Sequence, residues 1–150
     1  MSSIINSLYE LKYNPFKHSQ YITSFYTSIL ESENNLLLAQ LIIPLCSHPI
    51  FGEKLSNSNI RSTIWSIFDD RAMFYDLQER VDCFQDLTKL SIEYCLINDW
   101  LSIDKEHFIL RSVINSNTII TKQKNAEKLG RLLSGHSVIE IYAFLGVKPR

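Results

Sequence analysis

The chain has 150 residues, 45% of them hydrophobic, which is enough for a buried core and excludes wholesale disorder. A formal net charge of −1 removes any global attraction for polyanions as an argument for direct nucleic-acid binding. Cys46, Cys83 and Cys95 form no C-x-x-C pair, and the N-terminus has neither a basic leader nor a long apolar run, so reduced thiols and a cytoplasmic location are expected.

Residues 1–13 read as weakly helical, with Ile4, Ile5, Leu8 and Leu11 at helical spacing. Asn14 and Pro15 then break the chain and start a helix running to about Asn34, with Pro15 at its first position. Its stripe of Tyr21, Ile22, Phe25, Tyr26, Ile29 and Leu30 is a core face. Residues 36–43 are apolar all round and are expected to form the most buried helix, weakened by Pro44 and stopped by Pro49. The apolar run 36–46 is far short of the ~20 residues a membrane span needs, so no membrane partner is expected.

A short helix is expected over 49–55, ending in the Asn-rich turn 56–59. Residues 60–68 suit a helix capped by Ser58 or Asn59, with Ile60, Ile64, Ile67 and Phe68 on one face and Asp69 and Asp70 as its stop. From Ala72 to about Asn98 the pattern is helical, with Phe74, Leu77, Val81 and Phe84, then Leu87, Leu90 and Tyr94, along one face, either one long helix or two with a kink near Asp82. Residues 100–103 and 107–111 then read as a β-hairpin around the polar turn 104–106. A helix followed by such a hairpin is how a winged helix is built, and a hairpin packed on helices is the alternative. A loop at 115–117 precedes a basic amphipathic helix from about 119 or 121 to Leu133, stopped by Gly135. Ser137 and Glu140 match a capping box opening the last helix, which ends near Leu145 and Gly146. The expected fold is mainly α: a compact helical single domain over 1–150 with one small β-hairpin.

No catalytic motif is visible. His18, His48, His107 and His136 are far apart and show no metal-ligand spacing, and four glycines form no phosphate-cradling loop. No enzyme activity, metal or cofactor is therefore expected. What carries chemistry is the uneven charge: residues 121–150 hold six cations against two carboxylates, a net +4 on a body of −5. Lys124, Lys128 and Arg131 form a row on the basic helix, able to meet phosphates or an acidic protein surface, though such a row is often only a solvated face. With Lys148, Arg150 and Arg61 they are the candidate interface or phosphate contacts. Autonomous DNA binding through a winged helix is the alternative reading of the hairpin and this row.

The stretch Ala126-Glu-Lys-Leu-Gly-Arg-Leu-Leu133, followed by Glu140-Ile-Tyr-Ala-Phe-Leu-Gly-Val-Lys-Pro149, resembles the middle components of three-component ABC systems. Asn14-Pro15-Phe16, the Leu-rich run ending in His48-Pro49, and Ile60-Arg-Ser-Thr-Ile64 follow in the same order, so the resemblance covers roughly 14–149. The Asn-rich turn before Arg61 departs from it. The resemblance implies a small, non-catalytic accessory subunit of a prokaryotic anti-phage or anti-plasmid defence complex, of which the Lamassu type is the nearest setting. It further implies partners: an SMC-like or ABC-type ATPase that senses DNA, and an effector such as a nuclease, bridged by this chain. DNA would then be met indirectly, through the complex.

Overall fold

A computed structural model of the protein describes residues 14–114 and 120–150. The weak helix read over 1–13 and the loop read at 115–117 lie outside these residues. The described residues form eight α-helices and a two-stranded antiparallel hairpin. In chain order these are α1 (Pro15–Ser28), α2 (Ala39–Cys46), α3 (Pro49–Ser56), α4 (Ile64–Ile67), α5 (Leu77–Cys83) and α6 (Gln85–Ile97). Strands β1 (Leu101–Asp104) and β2 (Ile109–Ser112) follow, then α7 (Lys124–Leu133) and α8 (Val138–Leu145). Short 3-10 turns at Asn35–Leu38 and Arg71–Phe74 lead into α2 and α5.

Helix α1 starts where its sequence directs: the Asn14 side chain accepts from the Phe16 N–H at 2.8 Å, with Pro15 in the first turn. It lies among α2, α6, α7 and β2 and is buried well beyond its apolar stripe. Ser19, Thr23 and Ser24 are buried with Ile22, Phe25 and Tyr26. Their hydroxyls find local or facing partners: Ser19 donates to the Phe16 carbonyl at 2.7 Å, and Thr23 meets the Cys95 thiol at 3.3 Å. Ser24 accepts from the Gln123 N–H at 2.9 Å. Small hydroxyl residues therefore face the neighbouring helices and allow close approach.

The first helix stops at Ser28, six residues before the expected end near Asn34. The hairpin draws the chain away: Asn34 N–H donates to the His107 carbonyl and Leu36 N–H to that of Phe108, both at 2.9 Å. Asn34 is left-handed to make this turn, with φ 65°. Buried Asn35 pairs with β2 as a strand residue would: its side chain accepts from the Leu110 N–H at 2.7 Å and donates to the Leu110 carbonyl at 3.2 Å. The outer edge of β2 is thus occupied.

The run 36–46 supplies the core, with Leu38, Leu41, Ile42, Ile43 and Leu45 at most 1% exposed, but it opens as a 3-10 turn rather than a uniform helix. Helix α2 continues past Pro44 to Cys46, and the Pro44 carbonyl accepts from Arg80. No single helix among the described residues is long and apolar enough to cross a membrane; the apolar pair 35–46 and 49–56 bends by 101° between its parts and packs into the core.

Residues 60–68 depart furthest from expectation. Helix α4 is one turn, capped not by Ser58 or Asn59 but by Thr63, whose hydroxyl accepts from Ser66 N–H while Ser66 returns the bond. Asn59 instead accepts from Arg61 N–H and closes a separate turn, which leaves Ile60 wholly exposed rather than on the core face. The 72–98 segment resolves into α5 and α6, broken at Phe84, and Leu90 lies outside the buried face. The hairpin has the register Leu101↔Ser112 to Asp104↔Ile109, its turn held by the Asp104 carboxylate accepting from Glu106 and His107 N–H groups. Helix α7 begins at Lys124, later than expected, and Gly135 follows its end with φ +86°. Ser137 caps α8 by accepting from Glu140 N–H at 3.1 Å.

Candidate interaction surfaces

The basic candidates separate into two places. On α7, Lys124 and Arg131 are exposed, and Arg131 pairs with Glu127 one turn earlier. Lys128 is committed to the fold: its ammonium donates to the carbonyls of Ser56 and Ser58, each at 2.7 Å. It thereby closes the C-terminal end of α3. Desolvation, with the charges of Lys124 and Arg131, lowers its pKa. The Asn-rich turn comes to the same site, and Ser58, Asn59, Ile60 and Ser62 line a cleft of about 150 Å³ with Lys128, Arg131 and Leu132. Arg61, exposed within that turn, therefore lies on the segment beside the basic row.

Lys148 and Arg150 lie elsewhere, in a tail fastened to α2 and α5 by two amide side chains. Gln78 accepts from Lys148 N–H at 2.7 Å and donates to its carbonyl at 3.2 Å. Gln40 does the same for Arg150, at 2.8 and 2.9 Å. The Arg150 guanidinium then pairs with Asp82 at 2.9 Å. This bond holds the Asp82 carboxyl below the usual carboxylate range. Both backbone groups of Lys148 and of Arg150 are satisfied, so the tail is held as an added strand would be.

A surface that sequence reading missed centres on Trp65, which is 60% exposed. A series of edge-on rings connects it to the core: Phe51 to Phe74 at 5.6 Å, Phe74 to Phe144 at 6.3 Å, and Phe144 to Trp65 at 6.4 Å. Arg71 lies over Phe74 and Phe144 at 5.4 and 5.5 Å and donates to the Phe144 carbonyl. His136 meets the Trp65 ring at 5.6 Å. Trp, Phe and Arg held rigidly at a surface are the residue types that dominate protein interfaces. Trp65 carried a signal in the sequence, since it sits opposite the apolar positions of its segment.

The helix preceding the hairpin would be the reader in a winged helix. Its solvent side carries Asp86 and Glu93 with Lys89, which gives phosphates little attraction. The histidines serve local roles. His48 caps α3 by accepting from Ile50 and Phe51 N–H groups, His107 pairs with Asp104, and His136 lies 3.7 Å from Glu140. Among the described residues no three His, Cys, Asp or Glu side chains gather as metal ligands.

No curated protein and no solved structure matches the chain. The family model for the Middle Component 3 of ABC-three component systems matches residues 2–149, which contains the whole stretch over which the ordered motifs run. A mainly helical chain of this length, with its Ala126–Leu133 and Glu140–Pro149 patterns on adjacent terminal helices, is thus a member of the Middle Component 3 family of ABC-three component systems.

Proposed function

We propose that this protein is a non-catalytic, single-domain subunit that bridges an SMC-like or ABC-type ATPase and an effector such as a nuclease in a cytoplasmic Lamassu-type defence complex. DNA sensed by the ATPase would control the effector through it. The observation that carries this reading is the family match over 2–149; a middle component has the other components of its system as partners. Two adjoining patches of different chemistry suit contacts with more than one partner: the aromatic patch around Trp65, and the cationic site of Lys124 and Arg131 beside the Arg61 turn. A bridging subunit needs at least two.

Co-expression with the neighbouring ATPase and effector genes tests the reading. The protein is expected to co-elute with both, and elution apart from each would end the proposal. Reversing charge at Arg61, Lys124 and Arg131 together is expected to weaken assembly or DNA-dependent activation with the fold unchanged. Lys128 is unsuitable for that test because its ammonium closes the end of α3.

A further inference from the structure

A cavity of about 430 Å³ opens between the start of α1, the end of α2 and α5. Lys17, His18, Tyr21, Ser47, Arg80 and Phe84 are among its walls, and no carboxylate lines it among the described residues. Lys17 and Tyr21 lie one turn apart on α1, so both project to the same side. Arg80 reaches in from α5, fixed in direction by its own bonds. Nε and Nη2 donate to the Pro44 carbonyl at 3.4 and 3.2 Å, and Nη2 also donates to the Ser47 hydroxyl at 2.9 Å. The two N–H groups on Nη1 have no bond among the described residues. The Phe84 ring lies under the guanidinium at 5.8 Å and holds its plane.

At neighbouring His48, burial lowers the pKa most, and the Arg80 charge lowers it further against a smaller opposing pull from Asp76. Burial raises the pKa of Tyr21, so its phenol remains an O–H donor. The Ser47 hydroxyl spends its one proton on the Ile43 carbonyl; the Lys17 ammonium, Arg80 guanidinium and Tyr21 phenol still offer more donors than the two oxygens of a carboxylate can use, and suit the three or four oxygens of a phosphate. The volume exceeds what a phosphate alone needs and falls in the range of small-molecule sites.

We propose that this cavity binds a phosphate-bearing small molecule, with Lys17 and Arg80 holding the phosphate and Tyr21 flanking the group attached to it. The site is independent of the bridging role. It can be tested by calorimetric titration of the full chain with inorganic phosphate, AMP and ATP at low salt. Saturable binding is expected for at least one. Equal affinity for all three would assign the site to the phosphate alone, and tighter binding of a nucleotide would add its organic part.

Lys17→Glu is expected to weaken that binding by roughly tenfold or more, since it replaces attraction with repulsion. Lys89→Glu, on the solvent side of α6, changes net charge equally and is expected to leave binding unaltered. Arg80→Lys keeps the charge, loses the fork and should give an intermediate loss, with thermal melts separating any effect on α2. Absence of saturable binding for all three ligands at millimolar concentration would overturn the proposal. So would binding that Lys17→Glu leaves intact.

Discussion

Gly130 packs so closely on α1 that a methyl group added there would lie 2.1 Å from the Ser28 hydroxyl and 2.6 Å from the Phe25 carbonyl. Ser28 uses this proximity to donate across the interface to the Glu127 carbonyl at 2.7 Å. Alanine would ordinarily stabilise a helix interior by about 1 kcal/mol over glycine. Here the overlap with a backbone oxygen forces the helices apart, so Gly130→Ala is expected to destabilise by roughly 1–3 kcal/mol in urea unfolding. Adding Ser28→Ala should recover only part of the loss, because the Phe25 carbonyl remains.

Asn35 joins the hairpin to the helical body, and its own carbonyl also accepts from the buried Tyr26 hydroxyl at 2.7 Å. Asn35→Leu would leave both backbone groups of Leu110 without their side-chain partners. Each orphaned group costs about 1–3 kcal/mol, so a loss of roughly 2–4 kcal/mol is expected, with faster hydrogen exchange at Leu110 N–H. Exchange no faster than wild type would mean that the hairpin holds without this anchor.

The thiols differ in reactivity because they differ in burial. Cys83 is exposed, whereas Cys46 and Cys95 are buried. Burial pushes the Cys95 thiol up to about 11 despite hydrogen bonds from its surroundings, and raises that of Cys46 further. A thiol reagent at neutral pH should label Cys83 in the native protein and the other two only after unfolding, as mass spectrometry can count.

The tail should respond to acid in a defined window. The Asp82 carboxyl is held low by Arg150, so the pair contributes above the ordinary carboxylate value and is lost as pH falls through the lower folded value. The protection factors of the Lys148 and Arg150 amides, that is, exchange rates relative to the intrinsic rate at each pH, are expected to stay constant from neutrality to about pH 4 and to fall below it. Asp82→Asn should remove that pH dependence while the Gln40 and Gln78 pairs, which carry no charge, continue to protect the amides.

Much of the chain's organisation was written locally. Asn14 with Pro15, Ser137 before α8, Gly135 after α7 and the polar turn at 104–106 act within a few residues, and each appears in the structure where the sequence indicated. Ile60 and Leu90 misled because periodicity assumes that a helix continues. Thr63 started a new one after Ile60, and the chain broke at Phe84 before Leu90.

The sequence alone determined a mainly helical chain with one hairpin, its principal caps and a recognisable order of family motifs, since these depend on near neighbours and on pattern. Tertiary structure decided the rest. It buried the hydroxyls of α1 against α6 and α7, and it turned Lys128 from a free cation into a donor for Ser56 and Ser58. It also left Trp65 at the surface and brought Lys17 and Arg80 to one cavity. A polar side chain does not encode whether its partner will be water or a backbone carbonyl some seventy residues away; only the packing of the helices supplies that partner.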